Sequence, residues 1–137
     1  MNADAKTLDE AFTNIRPYSS SYLDLIGQLT WKAWTPVRTS WTDIGTPTVT
    51  ARFIIQGRVC RFQIQVVPGT TVATVAGTSY VNLPVMAKGI AGEGSMTNLT
   101  TLIAIGLCVI DITNSLIYVP TQTATGNTLD IFGSYEV

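Results

Sequence analysis

The stretch Arg58-Val59-Cys60-Arg61-Phe62-Gln63-Ile64-Gln65-Val66-Val67 carries the clearest structural signal in the chain. On an extended backbone Cys60, Phe62, Ile64 and Val66 point one way, and Arg61, Gln63 and Gln65 point the other. A period of two marks a strand with one buried and one solvated face. Before it, Thr48 to Ile55 reads as its partner across a tight turn at Gln56-Gly57, and Pro68-Gly69 stops the long strand. Arg52, Arg58 and Arg61 on this hairpin read as a solvated face, with recognition of an acidic partner as the alternative.

The same texture extends outward. After Gly27 the chain is rich in Thr, Val and Ile, punctuated by Gly, Pro and Asn every eight to twelve residues or so, as in all-β sandwiches and barrels. Further strands are expected at Trp34 to Thr39, Ser79 to Leu83, Val85 to Ile90, Leu99 to Ile110, Ser115 to Val119 and Thr128 to Tyr135. Gly89 to Gly94 and Thr121 to Asn127 are expected loops. About eight strands suit a jelly-roll-like, two-sheet antiparallel sandwich. Leu102, Ile103, Ile105, Leu107, Val109 and Ile110 make one strand apolar on both faces. A small sandwich leaves one face of each sheet wet, so the second face of this strand is expected to lie against another copy.

Before residue 28 the pattern differs. Leu8, Phe12 and Ile15 fall at i, i+4 and i+7, along one side of a short helix ended by Pro17. Two or three turns with one stripe do not persist alone, so the stripe must lie on its own domain or a partner. The expected organisation is an N-terminal arm over residues 1–27, helical or extended, and a sandwich domain over 28–137.

Composition excludes much. The 137 residues suffice for one core hiding roughly 68% of the unfolded surface. Only 12% are charged, and 8 Lys and Arg oppose 9 Asp and Glu, a balance unsuited to polyanions, so nucleic acid is not expected. There is no His, which removes Ser-His-Asp and Cys-His catalysis and the zinc helix. The acids are scattered, and no catalytic residue, cofactor or metal is expected. Cys60 and Cys108 sit in apolar runs and read as free buried thiols, with a cross-sheet disulfide as the alternative. The start lacks a basic segment followed by an apolar one, and the longest apolar run is far below the about 20 residues of a membrane span. A soluble protein made in a cytoplasm is expected. All bases fall at or before Lys88, whereas residues 89–137 carry Glu93, Asp111, Asp130 and Glu136, a split that suits contact between oppositely charged patches.

Trp31, Trp34 and Trp41 cluster where the arm meets the sandwich. They read as anchors of an interface or a cap on the core, with a sugar-stacking platform as the alternative. Leu8, Phe12, Ile15, Trp31, Trp34 and Trp41 are therefore the candidate partner-binding residues. Gly89-Ile90-Ala91-Gly92-Glu93-Gly94 lacks the helix and Lys-Ser/Thr pair of a phosphate loop.

Trp34-Thr35-Pro36-Val37, Arg52-Phe53 with Gly57-Arg58-Val59-Cys60-Arg61-Phe62, Asn82-Leu83-Pro84 and Ile131-Phe132-Gly133-Ser134-Tyr135 occur in that order. Over residues 31 to 137 this series resembles bacteriophage virion β-sandwich modules. That family includes tail- and head-fibre tips, and its fold is similar to the jelly-roll cement proteins of phage capsids. The resemblance implies a non-enzymatic, symmetric oligomer; the family's binding residues vary too widely to carry over. Fibres reach their tips through repeats or coiled coil, and this chain has neither. The resulting expectation is a capsid decoration protein on the virion surface, with the major capsid protein and further copies of itself (dimer or trimer) as partners. The alternative is a receptor- or glycan-binding fibre module, and behind it a small coat or cellular β-sandwich binding domain.

Overall fold

The computed structural model describes residues 30–137, so the expected arm and its Leu8, Phe12 and Ile15 stripe lie outside the described residues. Residues Trp31–Val137 form a compact unit that is all-β, with two antiparallel sheets arranged as a sandwich. Its strands are β1 (Lys32–Trp34), β2 (Arg38–Thr39), β3 (Thr42–Ile44), β4 (Thr48–Gln56), β5 (Val59–Val67), β6 (Thr71–Thr74), β7 (Tyr80–Asn82), β8 (Gly92–Asn98), β9 (Ile103–Asp111), β10 (Leu116–Tyr118), β11 (Gln122–Thr125) and β12 (Leu129–Glu136). One sheet has the order β1-β4-β5-β12-β8-β9-β10-β7-β2, the other β11-β6-β3.

The β4–β5 hairpin is centred one residue later than expected, on Gly57-Arg58, because Gln56 pairs with Val59. Gly57 takes φ +63°, the first-position geometry of a primed two-residue turn whose twist matches the strands. Along β5, Cys60, Phe62, Ile64 and Val66 are buried, and Arg61 and Gln65 are exposed, as the alternation predicts.

β9 turns the corner of the large sheet. Its residues 103 to 108 pair with β8, whereas 109 to 111 pair with β10. A bulge opposite Met96 and Thr97 inserts Ile105, and an extra residue bends a strand in this way. The bend carries β10 over the inner face, where the Ile117 side chain reaches Gly94 of β8. Phe62, Ile64, Met96, Ile117, Leu129, Ile131, Val72 and Val81 close the core from both sheets.

Five expectations fail locally. The single strand expected over Trp34 to Thr39 is split, because its ends pair at opposite edges of the large sheet, Trp34 with β4 and Arg38 with β7. Gly89 to Gly94 is not all loop, since β8 begins at Gly92. Its Gly94 lies opposite Gly133, where a Cβ would come 2.9 Å from the Phe62 ring. These glycines serve close approach within a strand, not a loop. Val85 to Ile90 is not a strand: Tyr135 Oη accepts from Val85 N, Ser115 Oγ accepts from Ala87 N, and Glu136 O accepts from Lys88 N. Its backbone donors thus engage scattered partners in place of a ladder. Thr121 to Asn127 contains β11, paired with the unforeseen β6 and tied by a 3.0 Å Thr71–Thr125 hydroxyl contact. Residues 99 to 102 form the turn before β9, and short strands raise the count among the described residues to twelve.

Candidate functional site

The inner face of the sheet is occupied by the core, so function has to be sought on the outer face. Two registers of side chains cross it. Arg52, Gln63, Phe132, Ser95 and Leu107 lie opposite one another across β4, β5, β12, β8 and β9. The next row runs Ile54, Arg61, Ser134 and Glu93. Small Ser95 and Ser134 stand in the middle, with taller Phe132, Leu107, Arg61 and Glu93 around them. This height difference produces a groove of about 570 Å³, completed at the β1 end by Trp31.

One side of the groove is braced by a polar chain. Arg52 donates from Nε (3.0 Å) and Nη2 (2.7 Å) to Gln63 Oε1, and Gln63 Nε2 donates to Asp130 Oδ1 at 3.0 Å. The Gln63 amide is thereby held from both ends. The Arg52 guanidinium also lies 4.6 Å from the Trp31 ring centre, a cation–π contact that fixes the indole. Asp130 is buried, and desolvation raises its pKa above the usual carboxylate range, opposed by the Gln63 hydrogen bond and the Arg52 charge. The one ion pair among the described residues joins Arg38 to Asp43 at 2.8 Å, which leaves Arg61 and Glu93 without a charged partner.

The three tryptophans enter three environments and do not form one platform. Trp34, one residue past the alternation from Ala33, turns inward and meets Phe53 and Phe62 edge to face, with centroids 6.3 and 6.4 Å away. Its indole N–H is buried without a hydrogen-bond partner. Trp41 packs on the core, donates to Tyr80 O at 3.1 Å, and is covered by Arg38 at 5.1 Å. Only Trp31, 41% exposed, reaches the groove. Sequence reading passed over Phe132, Glu93, Ser95 and Ser134, since nothing local distinguishes them; their meeting depends on β12 running between β5 and β8.

A second outer feature is the β9 ridge. Leu107 (80% exposed) and Val109 (65%) project from the corner strand and Leu102 (85%) from the turn that precedes it, while Cys108 is buried and Ile105 and Ile110 pack on the core. Leu102 also holds φ +59°, a left-handed conformation uncommon for a bulky side chain. Leu107 and Val109 of the ridge also wall a cleft of about 360 Å³, lined otherwise by Ala76, Gly77, Tyr118, Val119 and Pro120. Cys60 and Cys108 are both free and buried, and burial pushes the Cys108 thiol up to about 12. Among the described residues no group of His, Cys, Asp or Glu is arranged to hold a metal. Comparison with protein-family models, with curated proteins and with solved structures finds no match for this chain.

Proposed function

We propose that this protein is a virion structural subunit that self-associates and binds the outside of an assembled capsid, acting by adhesion. The observation that carries the reading is the β9 ridge: an apolar, uncharged protrusion on a strand whose inner face already serves the core. Isolated exposed apolar residues are ordinary, but Leu107 and Val109 project from the same face of one strand, and such a grouping marks an interaction surface. The cleft beside the ridge has the same apolar character. Leu107 and Val109 belong to both, so ridge and cleft form one continuous apolar patch of the kind that a closed symmetric interface between identical chains uses. Leu102 supports the same reading, because backbone strain under a fully exposed leucine is retained where the side chain has work to do outside the fold.

In this mechanism Leu8, Phe12 and Ile15 of each copy in the oligomer bind a repeating protein lattice. Linking weak contacts raises their joint affinity, and preferential binding to the closed shell stabilises it by mass action. Sedimentation velocity of the full chain tests the first part: a dimer or trimer is expected, and Val109→Glu should give a folded monomer. Co-sedimentation with capsids tests the second: Phe12→Asp should abolish occupancy. A monomeric parent chain, or undiminished occupancy by Phe12→Asp, overturns the reading.

A further inference from the structure

The outer-face groove differs from the ridge in chemistry, and its shape and lining argue for a different ligand. Its floor is built from β5, β12 and β8, which are interior strands with both edges paired. No backbone donors or acceptors are therefore free to add an extended peptide as another strand. A helix docking in the groove would need a continuous apolar stripe, and Arg61, Ser134, Glu93 and Ser95 interrupt it. What the groove does offer is two aromatic side chains, Trp31 and Phe132, with two hydroxyls and one charge of each sign between and beside them. A sugar ring has the matching character. Its C–H face packs on an aromatic ring, while its hydroxyls both donate and accept and so need donors and acceptors together.

We infer that the groove is a saccharide-binding site in which Trp31 and Phe132 carry the C–H faces of the sugar rings. Arg61 donates to ring or hydroxyl oxygens, Glu93 accepts from hydroxyls, and Ser95 and Ser134 do either. Neither charge is paired with another ion among the described residues, so no ion pair among them is broken on binding. The Arg52 guanidinium over Trp31, and the Gln63 amide held between Arg52 and Asp130, set the platform before the ligand arrives. Groups already fixed lose less freedom on binding, which suits weakly binding ligands such as sugars.

The test is a screen of the full chain on an array of immobilised bacterial and animal oligosaccharides, followed by solution titration of the best free oligosaccharide. A bound saccharide is expected whose affinity falls at least tenfold in Trp31→Ala and in Glu93→Gln. Both residues are exposed, and far-ultraviolet circular dichroism should show the variants folded. Trp31→Phe should retain part of the affinity. Val109→Glu, which carries the oligomer test, should leave affinity per site in solution unchanged, so that failure of this inference and failure of the assembly reading are told apart. The inference is overturned if no saccharide on the array is bound, if Trp31→Ala and Glu93→Gln bind as the parent does, or if Val109→Glu removes solution binding.

Discussion

Asp130 is only 5% exposed although it projects from the outer face of β12, and desolvation raises its pKa despite the Gln63 hydrogen bond and the positive charge of Arg52. An acid whose pKa is higher in the folded than in the unfolded chain binds its proton more readily when native. Its contribution to stability is therefore greatest below the ordinary carboxylate range, and falls as pH rises from there to the raised value. Asp130→Asn removes the charge and keeps an oxygen to accept from Gln63. Denaturant midpoints across pH should then converge with the parent near pH 3 and exceed it at pH 7. A lower midpoint for the variant at pH 7 would show that attraction to Arg52 outweighs burial. Asp111 has the opposite sign: Asn114 donates to it from side chain and backbone and lowers its pKa, so it favours the fold above the carboxylate range.

Among the elements, the glycines of β8, β12 and the first hairpin show that one residue type answers two demands. Gly57 has open space where a Cβ would stand, so its requirement is the left-handed backbone alone. Gly57→Ala should cost about 1–2 kcal/mol. Gly133 has no such dihedral demand, but a Cβ there would lie 2.3 Å from Glu93 O and 2.9 Å from the Phe62 ring. Gly133→Ala must push apart two central strands or expel Phe62, and about 3 kcal/mol or more is expected. Urea denaturation of the two variants should rank them in that order; equal losses would contradict the crowding at Gly133. Tyr135 plays the converse part, since its hydroxyl donates to Val85 O at 2.7 Å and accepts from Val85 N at 3.1 Å, holding an irregular segment on the sheet.

At the scale of the whole described unit, the outer surface carries an apolar ridge, proposed here to bind protein, and a mixed polar and aromatic groove, proposed to bind sugar, with Leu107 lining both the groove and the cleft at the ridge. Leu102→Gly separates what the fold wants from what the surface wants. Glycine accepts the left-handed backbone that leucine holds at φ +59°, so the dilute monomer should gain about 1 kcal/mol, read as a higher thermal midpoint. Losing an apolar side chain that is 85% exposed should at the same time weaken self-association, read by sedimentation across concentrations. If both stability and association rise, the ridge is not the contact surface.

Local chemistry was enough to determine several features from the amino-acid order. The alternation through Cys60, Phe62, Ile64 and Val66, the glycine turn beside it, the all-β texture and the uncovered second face of β9 depend on neighbours within a few residues. Trp34, Trp41 and Trp31 marked an aromatic region, yet their separation into core, core edge and groove depends on the faces that their strands present. Only the tertiary structure decided that Gly92–Asn98 is a strand and that Arg61, Ser134 and Glu93 stand in one row. Those residues lie up to 73 positions apart in the chain, and their meeting follows from β12 pairing with β5 on one edge and β8 on the other. Strand alternation states which side a residue faces; strand order, set by how the apolar faces close over one core, states which residues it faces with.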